Sequence, residues 1–345
     1  MSQSGASYRD AGVDIDEAQT AVRGIQAMVA STRTSRVESE LGVFAGFFAY
    51  PDAGSERLLV ASTDGVGTKL KLTAQLGRWA DAGFDIVSHC TSDILVHGAR
   101  PLFFLDYIGT GKLSAAVVEQ LVSGMSEACR ATGTAILGGE TAEMPGVYGS
   151  GDLDLVGTLV GEVKRSDLVD GRSIRPGDVL LGLASIGLHT NGYSLARRIV
   201  GSDARPEVLG ESPEAGGPTW GDMLLARHRL YFPRVSPLLG QVPIEGMVHI
   251  TGGGLVDNTP RILPAGCRAH IRVGSWPVLP VFRHLVERGG MDRAEAHRVF
   301  NMGIGYVLIV RPEQVAEVQA RLAETGEPAF EIGTIETGER GVELS

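Results

Sequence analysis

The sequence predicts a mixed α/β (α+β) fold of two domains. Three observations carry this. Apolar runs of strand length alternate with helical patterns along most of the chain. Clusters of glycine follow those runs. A length of 345 residues suits about two domains. With 43% hydrophobic and 21% charged residues, the chain can bury a large core. Its 47 glycines exceed the usual usage of about 7% and mark tight loops, not a low-complexity tract.

The elements follow in order. Residues 1–40 are polar and mixed, and Ser31-Thr32-Arg33-Thr34-Ser35-Arg36 reads as part of a mobile, weakly basic tail. Residues 58–61 form a buried strand, 84–96 a helix, 102–108 a strand and 114–131 a helix. A short strand at 134–137 ends in glycines, and 153–163 is a further strand. Arg172-Ser173-Ile174-Arg175-Pro176-Gly177-Asp178 is rich in turn formers and places the domains at residues 1–171 and 172–345. In the second domain, 179–184 is a strand, 192–200 a helix and 201–219 a surface excursion. Residues 247–251 form a strand feeding a triple glycine. Helices follow at 281–287 and 313–324, and strands at 304–310 and 330–335, giving a C-terminal sheet flanked by helices.

Formal net charge is -10, so the basic footprint of a nucleic-acid binder is absent. Cys90, Cys129 and Cys267 are far apart and form no CxxC, which fits a reducing cytosol and argues against a zinc ribbon. The N-terminus lacks a signal pattern, and no apolar run approaches the roughly 20 residues that span a bilayer. A cytoplasmic protein without a membrane partner is expected.

Five segments carry chemistry. Ser62-Thr63-Asp64-Gly65-Val66-Gly67-Thr68-Lys69 follows a strand and reads as a turn. Gly65 and Gly67 let backbone approach a ligand, Asp64 can hold a hard cation, and Lys69 can neutralise a phosphate. The order Gly-Thr-Lys is not that of a P-loop, and no third glycine completes a dinucleotide fingerprint. Asp93 falls beside the apolar stripe of its helix, where a carboxylate needs a partner or a metal. His89 and His97 flank it at i−4 and i+4, a spacing that also fits a transition metal, though packing is the commoner role of such histidines. Gly138-Gly139-Glu140-Thr141-Ala142-Glu143 again sets acids after glycines, as metal ligands or as a polar turn. In Gly187-Leu188-His189-Thr190-Asn191-Gly192, His189 suits proton handling or a structural role, and Asn191 suits a helix cap. Thr251-Gly252-Gly253-Gly254 precedes a helix and offers either a phosphate cradle or a chain reversal.

In this order the motifs resemble the phosphoribosylformylglycinamidine cyclo-ligase (aminoimidazole ribonucleotide synthetase) family of purine biosynthesis. The likeness runs from Tyr8-Arg9-Asp10-Ala11-Gly12-Val13-Asp14 through Pro101-Leu102-Phe103-Phe104-Leu105-Asp106-Tyr107 and Phe300-Asn301-Met302-Gly303 to the region of Gly333. The resemblance implies a homodimer whose N-terminal domains pair into a shared β-barrel, with clefts near the domain and subunit junctions. It implies ATP and Mg2+, with formylglycinamidine ribonucleotide as the small-molecule substrate. By position, Asp64, Asp93, Glu140 and Glu143 are then the metal ligands. Gly65, Gly67, Thr68 and Lys69 contact ATP, together with Asp93 and Glu140. Thr251, Gly252, Gly253, Gly254 and Asn191 meet the substrate, and His189 and Lys69 act in catalysis. Two departures stand out: Gly42-Val43-Phe44-Ala45 replaces a Gly-Gly-Phe-Gly word, and Gln26 stands where some relatives have lysine. Thiamine-monophosphate kinases and selenophosphate synthetases share the acidic loops and the two-domain plan. The words around Asp106, Glu143 and His189 argue against them, and the lack of an N-terminal cysteine argues further against a selenophosphate synthetase. Retention of Asp64, Lys69, Asp93 and Glu140 argues against a non-catalytic scaffold.

Overall fold

The computed structural model describes residues 6–50, 52 and 54–345, so the first five residues of the predicted tail lie outside the described part. Helix α1 (Ile15–Ala30) precedes strands β1 (Gly46–Ala49) and β2 (Arg57–Gly65) and helices α2 (Lys69–Leu76) and α3 (Trp79–Leu95). Strand β3 (Arg100–Thr110), helix α4 (Ala115–Thr132) and strands β4 (Ala135–Glu143) and β5 (Leu153–Lys164) follow. The strands form one sheet in the order β1-β2-β5-β3-β4. Its neighbours are antiparallel except β3 and β4, between which α4 supplies the crossover that a parallel pair needs.

Helices α3 and α4 cover one face of this sheet. Alternate residues of a strand share a face, so Leu58 and Val60 of β2 join Leu155, Leu159, Phe104 and Ile108 in the core. Ser62 and Asp64 continue that row on the same face. The two helices meet through glycine. A Cβ added to Gly83 would stand 1.9 Å from the Leu121 carbonyl oxygen, and one on Gly124 would stand 1.8 Å from that of Ala80.

The second half contains β6 (Val179–Ala184), α5 (Tyr193–Val200), α6 (Trp220–Leu224), α7 (Phe232–Val235), β7 (Gly246–His249), α8 (Gly254–Asn258) and β8 (Cys267–Ile271). It continues with α9 (Pro280–Gly289), α10 (Arg293–Val299), β9 (Ile304–Val310), α11 (Val315–Glu324), β10 (Ala329–Thr337) and β11 (Gly341–Leu344). The sheet order is β11-β8-β10-β6-β9-β7. Strand β9 is buried along its whole length, as an apolar run covered on both faces should be. A separate apolar cluster gathers residues of α5, α6, α9 and α10. The fold is therefore the expected mixed α/β type, with sheets flanked by helices.

Several elements differ from expectation. Part of the predicted tail is α1, whose first turn is capped by Asp14 accepting from the Glu17 amide. It buries no residue, which is why it read as solvated. Its approach is fixed by the Tyr8 amide donating to Glu295 at 2.9 Å and by the Arg298–Asp16 ion pair. The excursion at 201–219 is anchored by buried Val208 and Leu209. The acidic glycine cluster is not a loop, because β4 runs through it to Glu143. Gly139 is required there, since a Cβ would lie 2.5 Å from the Asp106 carbonyl oxygen.

Candidate active site

The junction between the two halves is lined by a polar stripe on α3. Asp85, His89 and Asp93 are spaced four residues apart and so lie along one helix face. All three are buried, and each reaches a group across the junction. Asp85 accepts from the His228 amide at 2.6 Å. His89 Nδ1 meets the Thr190 hydroxyl at 2.7 Å. Asp93 accepts from His249 Nδ1 at 2.8 Å and from the Ser62 hydroxyl at 2.9 Å. Buried polar groups of this kind are tolerable only when partnered in this way.

Asp64 completes the centre from β2. Its side chain is 45% exposed, and one oxygen lies 2.9 Å from His89 Nε2. Oxygens of Asp64 and Asp93 and a nitrogen of His89 all lie within 4.8 Å of one another. Burial opposes charge on His89, but Asp64 and then Asp93 more than offset it and push its pKa up to about 9. Burial likewise opposes charge on Asp64, yet His89 and the Gly65 amide bring it down to about 2. A positive group thus already sits between two carboxylates, and this donor set suits a hard divalent cation.

The turn after Asp64 stays open. Gly67 takes φ 68° and an added Cβ there would meet nothing within 4 Å. The Thr68 hydroxyl faces that of Ser194 across the junction at 3.1 Å. Asn191 Oδ1 lies 3.2 Å from where a Gly252 Cβ would stand. Asp64, Gly65, Gly67 and Thr68 on the first half, and Asn191, Thr251 and Gly252 on the second, are thus exposed or half-buried near the junction. Ala45 keeps a negative φ, so alanine replaces glycine there without strain.

Other expected site residues lie elsewhere. Lys69 does not face the cleft: it is fully buried, with its ammonium 2.5 Å from Asp85 and donating to the His189 and Ala226 carbonyls at 3.0 and 2.9 Å. Three donors have three acceptors, which leaves none for a phosphate or for catalysis. Glu140 and Glu143 sit on the free edge strand, with β5 and β3 between them and Asp64. Three strand spacings amount to roughly 14 Å, so they do not join Asp64 within one chain. Gly253 and Gly254 are buried. An added Cβ on Gly254 would stand 1.9 Å from the His297 carbonyl oxygen, so close packing accounts for that glycine. Asn258 Nδ2 donates to the carbonyls of Thr251, Gly252 and Gly254, fixing the loop. Asn191 is not a cap, since Gly192 holds that position. His97 turns away from Asp93 to the Val169 carbonyl.

His189 is buried, takes φ 61°, and has no hydrogen-bond partner at either ring nitrogen. Burial, with His249 and Lys69 nearby, holds it well below the usual histidine range and hence neutral. Sequence reasoning missed Ser62, Thr190, His228 and His249. Only Ser62 had a signal, being two residues before Asp64 on the same strand face.

Residues 45–163 match the family described as AIR synthase related protein, N-terminal domain, and residues 175–344 match AIR synthase related protein, C-terminal domain. A thiamine-monophosphate kinase from Stenotrophomonas maltophilia K279a has a similar fold, with TM-score 0.64 and 19% identity over 94% of this chain and 95% of that one. The E. coli hydrogenase maturation protein HypE is also similar, at TM-score 0.61 and 21% identity over 83% and 82% of the two chains. Fold and site together define an enzyme of the AIR synthase related class. Phosphoribosylformylglycinamidine cyclo-ligase of Nitratidesulfovibrio vulgaris is 47% identical over 95% of this chain and 94% of its own. That of Caldicellulosiruptor bescii is 45% identical over 98% and 99%. The chain belongs to the phosphoribosylformylglycinamidine cyclo-ligase family, as its motifs led one to expect.

Proposed function

We propose that the junction cleft cyclises formylglycinamidine ribonucleotide to 5-aminoimidazole ribonucleotide, converting ATP to ADP and phosphate, as a cytoplasmic step of purine biosynthesis. The observation that carries this is the carboxylate centre of Asp64 and Asp93, set beside the open Gly67-Thr68 turn between the two halves. In this reading the domains divide at residues 171 and 172. The formamide oxygen of the substrate is a poor leaving group. Phosphorylating it lets the amidine nitrogen attack the activated carbon, close the ring and release phosphate.

Mg2+ fits the hard oxygens of Asp64 and Asp93, where it would neutralise phosphate charge. Asp64 would be the direct ligand, because its carboxylate reaches solvent. Asp93 acts from beneath, its oxygens engaged by His249 and Ser62. Gly65, Gly67 and Thr68 offer backbone and hydroxyl to the nucleotide, and Asn191, Thr251 and Gly252 border the substrate side. His189, neutral and enclosed, supports the junction instead of exchanging protons with solvent. Holding reacting groups together can lower a barrier by roughly 7–11 kcal/mol, against a factor of about 10²–10⁴ for one general base. Positioning across the junction is therefore the larger contribution.

The assay is formation of ADP and of the aminoimidazole product, with and without formylglycinamidine ribonucleotide. ADP release indifferent to that substrate, with no imidazole formed, defeats the reading. Asp64→Asn is expected to lower kcat by about 10²-fold or more, the scale of losing one electrostatic contact to a transition state, with thermal stability retained. Full turnover of this variant at limiting Mg2+ removes Asp64 from the ligand role.

We also infer a homodimer built on the first sheet. Its helix-free face carries Leu59, Phe103, Leu105, Val156 and Val160, none of them fully buried, and Leu105 and Leu137 are exposed. Its edge strand β4 has no partner on one side among the described residues. A second copy would cover this face and bring Glu140 and Glu143 toward a shared cleft.

A further inference from the structure

His89, His228 and His249 converge in the junction, all buried, with one ring nitrogen from each within 4.8 Å of the others. They arrive from three pieces of chain: α3, the loop between α6 and α7, and the end of β7. His228 and His249 share a hydrogen bond between their Nε2 atoms at 3.2 Å, one ring donating and the other accepting. Tetrahedral zinc–nitrogen bonds of about 2.05 Å put neighbouring ligand nitrogens roughly 3.3 Å apart, so this pair already stands at the spacing a shared cation sets.

For two of the three histidines the remaining ring nitrogen has the kind of partner that metal-binding histidines keep. His249 Nδ1 donates to Asp93 at 2.8 Å, and His89 Nε2 lies 2.9 Å from Asp64. A carboxylate on the far nitrogen fixes the ring and strengthens it as a ligand. His228 Nδ1 and both ring nitrogens of His189, whose ring centroid is 4.1 Å from that of His228, are buried with no hydrogen-bond partner.

We propose that His89, His228 and His249 form a binding site for a divalent transition metal of the zinc class, adjoining the oxygen-lined magnesium position and linked to it through His89–Asp64 and His249–Asp93. Three imidazoles favour zinc, cobalt or nickel over magnesium. His89 would ligate through Nδ1, releasing the proton that Asp64 and Asp93 hold on it, and the Thr190 hydroxyl now 2.7 Å away yields to the ion on binding. Entry runs past Asp64, which is part exposed and touches His89. Because the histidines belong to both halves, the ion ties the halves together.

The test uses the whole chain, stripped with a chelator and dialysed against Co2+ in a large excess of Mg2+. Metal analysis is expected to give about one cobalt per chain, with the strong visible bands of tetrahedral nitrogen coordination and a higher Tm. His228→Gln is expected to abolish the bands while leaving Asp64 and Asp93 intact. His270→Gln, a change on β8 remote from the cluster, leaves them unchanged. No cobalt retained, displacement by Mg2+, or an unaltered spectrum in His228→Gln overturns the proposal. If His228→Gln does not fold, X-ray absorption of the cobalt-loaded wild-type chain decides. Three nitrogen neighbours near 2.0–2.1 Å uphold it, and an oxygen-only shell refutes it.

Discussion

At Lys69 a residue that reads as a phosphate contact is enlisted by the fold. Its ammonium is enclosed by Asp85 and two main-chain carbonyls. Removing one partner of a buried pair strands the other, at about 3–5 kcal/mol. Lys69→Met should therefore lose stability on that scale in urea titrations, with little change in KM for ATP among molecules that remain folded. The motif could not show this, because two acceptors lie 120 and 157 residues away in sequence. The position of Asp64, part exposed at the end of β2, was legible because it depends on the strand just before it. His97 gives a pH prediction. Burial draws its pKa down to about 4, partly opposed by the Val169 carbonyl, with Arg261 lowering and Asp93 and Asp170 raising it. An unfolded histidine titrates near 6.5, so protons favour the unfolded chain. This contribution is intact above pH ~6.5 and fades as pH falls toward 4, by about 3 kcal/mol. Urea midpoints of His97→Gln should fall less over that window than those of the wild-type chain.

Among elements, the α3–α4 contact shows packing overruling propensity. Alanine at Gly124 gains about 1 kcal/mol of helix propensity. Its methyl, however, would stand 1.8 Å from a backbone carbonyl that cannot swing aside. Overpacking costs about 1–3 kcal/mol or more, so Gly124→Ala should be destabilising on balance, read as a lower Tm by calorimetry. Strands β6 and β9 were legible because uninterrupted apolar runs announce burial on both faces. Strand β8 was not. Cys267-Arg268-Ala269-His270-Ile271 does alternate, but five residues are a weak signal. Strand β11 has four residues and takes its place only by pairing with β8. Helix α1 was missed because it buries nothing, and burial is what makes a helical stripe readable.

For the whole molecule, the two-sheet plan and the family were legible from motifs held in order over the full chain. The junction was not, since its histidines share no local spacing. The uncovered sheet face bears on assembly. Leu105→Glu places a charge on that face, and on the dimer proposal sedimentation should show the mutant as monomer and the wild-type chain as dimer. A monomeric wild-type chain at micromolar concentration would remove the dimer reading. Lys69 also has a consequence in time. During synthesis Asp85 emerges soon after it, but the Ala226 carbonyl follows 157 residues behind Lys69. At about 5–20 residues per second, the nascent first half waits on the order of 10 s before its lysine is fully matched. Until then the half-made chain carries an ammonium with open valences at the surface where its own second half is to dock.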